Sequence, residues 1–161
     1  MAKTIANQSR CILLVEDDPH DAELAGVAFF EQGLDHELIT VGDGEQALDF
    51  LQRRGAFAAR PQLNPALVVL DLKLPKMSGH DVLKRLKHDS ALQVIPAVVF
   101  SSSSEERDIV ASYDLGANAY VVKPLVFDDF VETVRRMAQY WASFNQPPPG
   151  SVACDPRYPT R

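Results

Sequence analysis

Cys11-Ile12-Leu13-Leu14-Val15-Glu16-Asp17-Asp18-Pro19 is the stretch that decides the fold. Five apolar residues run without alternation and stop at three acids. An unbroken apolar run of that length predicts a strand covered on both faces, as in a parallel sheet. Asp18 and Pro19 then open a helix as N-cap and first helical residue, Asp21 lies in its first turn, and Gly33 stops it.

The same alternation continues outward. Leu38–Val41 is a short strand closed by Gly42-Asp43-Gly44, and the helix after it shows Ala47, Leu48 and Leu51 on one face. Residues 56–65 lack helical periodicity and read as a loop. Leu67–Leu70 is a third strand ending at Asp71. Pro75 and Gly79 mark a turn before a helix with Val82, Leu83 and Leu86 buried. Ile95–Phe100 is a fourth strand ending at Ser101, and Glu105–Leu115 a helix stopped by Gly116. Ala119–Val122 is a fifth strand leading into Lys123-Pro124, and a last helix spans about 127–144. Five strands alternating with five helices predict an α/β domain, its parallel sheet covered by helices on both sides. Ligands of such folds bind at the carboxyl ends of the strands.

Composition narrows the function. The 161 residues are 46% hydrophobic and 24% charged, with 22 acidic against 16 basic side chains and a net charge of −6. That balance opposes nucleic-acid binding, which needs a basic footprint. Cys11 and Cys154 lack metal-ligand spacing, so neither a disulfide scaffold nor a zinc site is expected. No apolar run approaches the ~18 residues of a membrane span, and residues 1–10 carry no apolar leader core, so a cytoplasmic protein is expected. The expected organisation is an N-terminal tail (1–10), one domain (11–144) and a Pro-rich C-terminal tail (145–161). In that tail Pro147-Pro148-Pro149 should stay extended and unpacked.

The strand ends carry the chemistry: Glu16 and Asp17, Asp71, Ser101 and Lys123. Taken singly, the acids could be helix caps, Ser101 the start of a serine-rich turn, and Lys123 a solvated charge. Together, three carboxylates at one sheet edge repel one another unless a cation joins them, and hard oxygen ligands suit Mg²⁺. A carboxylate beside Mg²⁺ can act as a nucleophile toward phosphorus. A metal, a lysine and a hydroxyl then suffice to neutralise the transferred group.

Leu13-Leu14-Val15-Glu16-Asp17-Asp18, Leu70 to Gly79, Ile95 to Ser101, and Tyr120-Val121-Val122-Lys123-Pro124 together resemble the receiver domain of two-component response regulators over about residues 10–140. The resemblance implies a flavodoxin-like (βα)5 sheet of order 2-1-3-4-5, here with an extended C-terminal helix. It implies Asp71 as phosphoacceptor and Asp17 as direct Mg²⁺ ligand, with Glu16 holding the metal through water and the Lys73 carbonyl as a further ligand. It also implies Ser101 as the hydroxyl switch, Lys123 as the phosphate-pairing lysine and Pro124 as the proline of a cis bond. Tyr120 matches the aromatic switch; the alternative is a half-buried packing aromatic. Lys73 and Ser103 flank the path of hydrolytic water and offer no group to orient it, so slow autodephosphorylation is expected.

Within the family the chain is most similar to single-domain regulators of phytochrome-type histidine kinases. The cues are Phe50 to Gly55, Ile109 to Tyr113 and Tyr140-Trp141. The implied partners are a sensor histidine kinase and a downstream protein or phosphotransfer partner, with no enzymatic output beyond the protein's own phosphorylation chemistry. The apolar stripe of the last helix runs on through Trp141 and Phe144, about one turn past what the sheet needs. A homodimer through that end is expected; the alternative is that both rings fold back on their own domain.

Three rivals are weaker. A haloacid-dehalogenase-like Mg²⁺ phosphatase needs a second acid two residues after the nucleophile, where Lys73 stands. A flavodoxin-type flavin carrier needs a phosphate-cradling loop, where Glu16-Asp17-Asp18-Pro19 repels phosphate. A pseudo-receiver acting only as an interaction module would lack phosphorylation residues, and all are present.

Overall fold

The apolar run at Cys11 forms β1 (Ile12–Val15), with all four residues buried. The structure, a computed structural model, describes residues 10–34, 37–61 and 64–151. Residues 1–9 and 152–161, most of the expected tails, lie outside the described residues, as does Cys154. The other elements follow in chain order: α1 (Pro19–Glu31), β2 (Leu38–Val41), α2 (Gly44–Gln52), β3 (Leu67–Leu70), α3 (Gly79–His88), β4 (Ala97–Ser101), α4 (Glu106–Asp114), β5 (Ala119–Val122) and α5 (Phe127–Gln139). All strand pairs are parallel and the order is β2-β1-β3-β4-β5, as expected. In the predicted loop after α2, Gly55–Phe57 forms a short 3₁₀ turn, and the Phe57 ring meets Phe50 edge-on at 5.2 Å.

Alternate residues of each strand face opposite helix layers. Leu13, Val15, Val68, Leu70 and Val99 pack with α2 and α3 through Leu48, Leu51, Val82 and Leu86. Ile12, Leu14, Leu67, Val69 and Phe100 pack with α1 and α5 through Ala28, Phe29, Phe130 and Val134. Burial on both faces is why these strands carry no polar alternation.

The C-terminus departs from expectation. The last helix does not run straight to Phe144: α5 ends at Gln139 and Tyr140–Phe144 winds as a wider π-helical turn, closed by the Asn145 N–H on the Tyr140 carbonyl at 2.7 Å. Within that turn Ala142 is buried and Trp141 packs against the α1/α5 layer, while Tyr140 and Phe144 stay exposed.

Residues 145–151 are not unpacked. The Arg10 guanidinium donates to the carbonyls of Trp141 and Asn145. The Asn64 N–H donates to the Gly150 carbonyl at 3.0 Å, and Ser151 bridges to Asn64 in parallel. The prolines have no N–H groups to satisfy, so donors elsewhere in the chain can hold this segment through its carbonyls. The strap crosses the sheet at the pole where β1 and β3 begin.

Candidate phosphoacceptor and metal site

Register builds the site. Val15 pairs with Leu70, so Glu16 and Asp71 leave adjacent strands side by side, and the Asp71 N–H donates to the Val15 carbonyl at 3.1 Å. Ser101 pairs with Val122, which places Lys123 one residue past the edge strand, its N–H on the Ser101 carbonyl at 2.7 Å. The Lys123 ammonium reaches back across β4, 5.8 Å from the Phe100 ring centroid.

It ends on three carboxylates. Lys123 Nζ donates to Glu16 Oε2 at 2.6 Å, Asp71 Oδ2 at 2.9 Å and Asp21 Oδ2 at 2.9 Å. Glu16, Asp71 and Lys123 are buried; Asp17 is exposed. The other Asp71 oxygen, Oδ1, accepts from the Leu72 N–H at 2.7 Å. Burial pushes the Glu16 carboxyl up to about 7, against the pull of the Lys123 ammonium. Burial alone would lower Lys123, but hydrogen bonds to Glu16, Asp71 and Asp21 outweigh it and hold the ammonium above its usual range.

Carboxylate oxygens of Glu16, Asp17 and Asp71 lie within 4.8 Å of one another, a donor set of hard oxygens open to solvent on the Asp17 side. That set fits Mg²⁺, which takes one or two carboxylates and keeps several waters. The loop after Asp71 is pressed close: a Cβ on Gly79 would stand 2.1 Å from the Asp71 carbonyl, so only glycine fits there. Lys73 sits in that loop with its side chain exposed.

The switch candidates meet in the loop after β4. Ser101 is buried and its hydroxyl accepts from the Ser103 N–H at 3.2 Å. Tyr120 is half-buried against the α2/α3 layer, and its hydroxyl donates to the Ser103 carbonyl at 2.8 Å. Packing and hydrogen bonding thus coexist at Tyr120. The Lys123–Pro124 bond departs from expectation: it is trans. An X–Pro bond prefers trans by only about 0.5–1 kcal/mol, so context decides, and in the trans form Lys123 already reaches all three carboxylates.

Two features escaped the reading of the sequence. Asp21, in the first turn of α1, reaches Lys123. The signal was its position one helical turn beyond Asp17 at the site's own helix. The second is a chain of hydroxyls: Ser103 Oγ donates to Asp108 Oδ2 at 2.5 Å, Ser112 Oγ donates to the Asp108 carbonyl at 2.7 Å, and His80 Nε2 lies 3.0 Å from Ser112 Oγ. Such bonds depend on side-chain directions, which leave no periodic signature in the sequence.

Residues 12–135 match the response regulator receiver domain family. The response regulator Rcp1 of Synechocystis sp. is 38% identical over 136 residues, covering 84% of this chain and 91% of Rcp1. Its Mn(2+)-bound crystal structure superposes with a TM-score of 0.81 at 37% identity, covering 86% of this chain and 99% of that one. The phosphorylated cyanobacterial phytochrome response regulator RcpA gives the same TM-score, 0.81, at 37% identity over 86% of this chain and 98% of its own. The bacteriophytochrome response regulator RtBRR is 51% identical, with a TM-score of 0.69 over 88% of this chain and 86% of its own. With its parallel sheet in the order 2-1-3-4-5 and its acids gathered at the carboxyl ends of β1 and β3, the chain belongs to the response regulator receiver domain family.

Proposed function

We propose that this receiver takes a phosphoryl group from a sensor histidine kinase of the bacteriophytochrome type onto Asp71 and signals by phosphorylation-dependent protein contacts or onward transfer. The observation that carries the assignment is the Lys123 ammonium held 2.9 Å from Asp71 beside a triad of oxygens suited to one cation. The kinase class rests on the phytochrome regulators to which the chain is similar. An Asp71 carboxylate oxygen attacks phosphorus, the P–N bond of the phosphohistidine breaks, and the imidazole takes the bond's electrons and a proton. Glu16, Asp17, Asp71 and the Lys73 carbonyl would hold Mg²⁺, which, when bound, neutralises charge on the phosphoryl oxygens. Lys123 pairs with a phosphoryl oxygen, and Ser101 and Tyr120 respond to it.

The Ser103 hydroxyl is occupied by Asp108 and the Lys73 side chain is exposed, which supports slow hydrolysis of the acyl phosphate. Among the described residues no helix is long and apolar enough to cross a membrane, in keeping with a cytoplasmic role. The test is labelling by acetyl phosphate or a phosphorylated bacteriophytochrome kinase. Wild type should be labelled only with Mg²⁺ and Asp71→Asn not at all; full labelling of that variant overturns the assignment.

A second copy of the chain is the partner assigned to the end of α5. Its support is the exposure of Tyr140 (50%) and Phe144 (71%), since Trp141 belongs to the domain's own packing. Light scattering at micromolar concentration should show a dimer for wild type and a monomer for Tyr140→Ala with Phe144→Ala. A monomeric wild type removes the helix end from any interface.

A further inference from the structure

We infer that Asp21 is a positioning residue for phosphoryl uptake, committed to the Lys123 ammonium and to no metal. The inference rests on the receiver chemistry proposed above. An ammonium has three N–H donors and no acceptor. Here all three are taken, by Glu16 at 2.6 Å, Asp71 at 2.9 Å and Asp21 at 2.9 Å.

The three acceptors are not equivalent. Glu16 and Asp71 also belong to the oxygen triad that would hold the cation, so their charge is shared once an ion arrives. Asp21 lies outside that triad. Its place is set by the start of α1, where Asp18 Oδ1 accepts from the His20 N–H at 2.8 Å and the Asp21 N–H at 3.2 Å. The Asp21 side chain is 23% exposed, the most accessible of the three partners.

Phosphorylation changes the demand on Lys123. When Asp71 becomes an acyl phosphate it loses its carboxylate charge, and the N–H that pointed at it is the one freed for a phosphoryl oxygen. The other two donors stay on Glu16 and Asp21. Without Asp21 the ammonium has a free donor before any phosphoryl group arrives, and once Asp71 has reacted Glu16 alone of the three acceptors still holds it. A charge-assisted bond of this kind has both direction and strength.

The experiment uses the full chain and four variants: Asp21→Ala, Asp21→Asn, Lys123→Ala and Asp21→Ala with Lys123→Ala. Acetyl phosphate uptake and Mg²⁺ binding by calorimetry are measured on each folded protein, and the ¹⁵N resonance of the Lys123 ammonium on wild type and the two Asp21 variants that keep Lys123. Asp21→Ala should slow uptake about tenfold. Mg²⁺ affinity should stay within about twofold of wild type, because Asp21 is not a ligand. The Lys123 ammonium resonance should shift or broaden. Asp21→Asn, which keeps an acceptor without the charge, should fall between. In the Lys123→Ala background the loss of Asp21 should cost nothing further. Wild-type uptake by Asp21→Ala, or an equal loss in both backgrounds, overturns the inference. A tenfold loss of Mg²⁺ affinity would make Asp21 a metal residue and overturns it as well. Wild type that takes up no phosphoryl group refutes the receiver chemistry instead.

Discussion

Helices α4 and α5 flank the fifth strand in the chain and are held in opposite ways. Helix α5 buries Phe130, Val131, Val134 and Ala138, with the Phe130 ring 5.3 Å from that of Phe100. Helix α4 buries one residue among its nine, Ser112, and that residue is polar. Each apolar side chain fully buried contributes about 1.5–3 kcal/mol, spread over many non-directional contacts. A hydrogen bond contributes about 0.5–1.5 kcal/mol and depends on one geometry. Helix α5 is therefore held mainly by apolar packing, whereas α4 depends more on two side-chain bonds, His80–Ser112 and Ser103–Asp108. The second point shares a residue with both switch candidates: Ser103 donates to Ser101 and accepts from Tyr120. A change at Ser101 is therefore expected to reach α4 through Ser103 while α5 stays in place.

The largest effect expected from this contrast is at Phe130. Phe130→Ala should cost about 3–5 kcal/mol in urea unfolding, from lost burial and the cavity left behind. A cost of about 1 kcal/mol would mean that α5 is no better anchored than α4. Ser112→Ala should cost about 1–2 kcal/mol, because the hydroxyl joins two elements from a buried position. Its sharper readout is amide exchange, which should quicken along α4 and not along α5. Uniform quickening would break the comparison. Smallest is Tyr120→Phe, which keeps the ring packing and removes one bond to the Ser103 carbonyl, for about 0.5–1.5 kcal/mol. That variant should still take up phosphoryl from acetyl phosphate at close to the wild-type rate, while the α4 amide shifts that accompany phosphorylation shrink. Unchanged shifts would make Tyr120 a packing residue only.

These contrasts also explain what could be read from the chain. Strands β1, β3 and β4 were legible because each apolar run stops at a reactive residue, and a parallel sheet collects such ends at one edge. Glu16, Asp17, Asp71 and Lys123 come together by that logic alone. Asp21 was hidden because an acid in the first turn of a helix already has a local explanation. The Ser103–Asp108 and His80–Ser112 pairs were hidden because hydroxyl bonds depend on side-chain directions that no period encodes. The turn at Tyr140–Phe144 keeps a helical pattern, and nothing in Tyr-Trp-Ala-Ser-Phe marks the switch to a wider winding. The strap was missed because its bonds run from carbonyls to Arg10 and Asn64, far away in sequence.

The strap brings the chain in at Arg10 and out at Ser151 on one pole, while the acids and Lys123 occupy the other. Any fluorophore, affinity handle or surface linker fixed at Arg10 or Ser151 therefore starts from the side opposite the chemistry. A tether at that pole leaves the acid cluster facing the bulk solution, where a large phosphodonor can approach it.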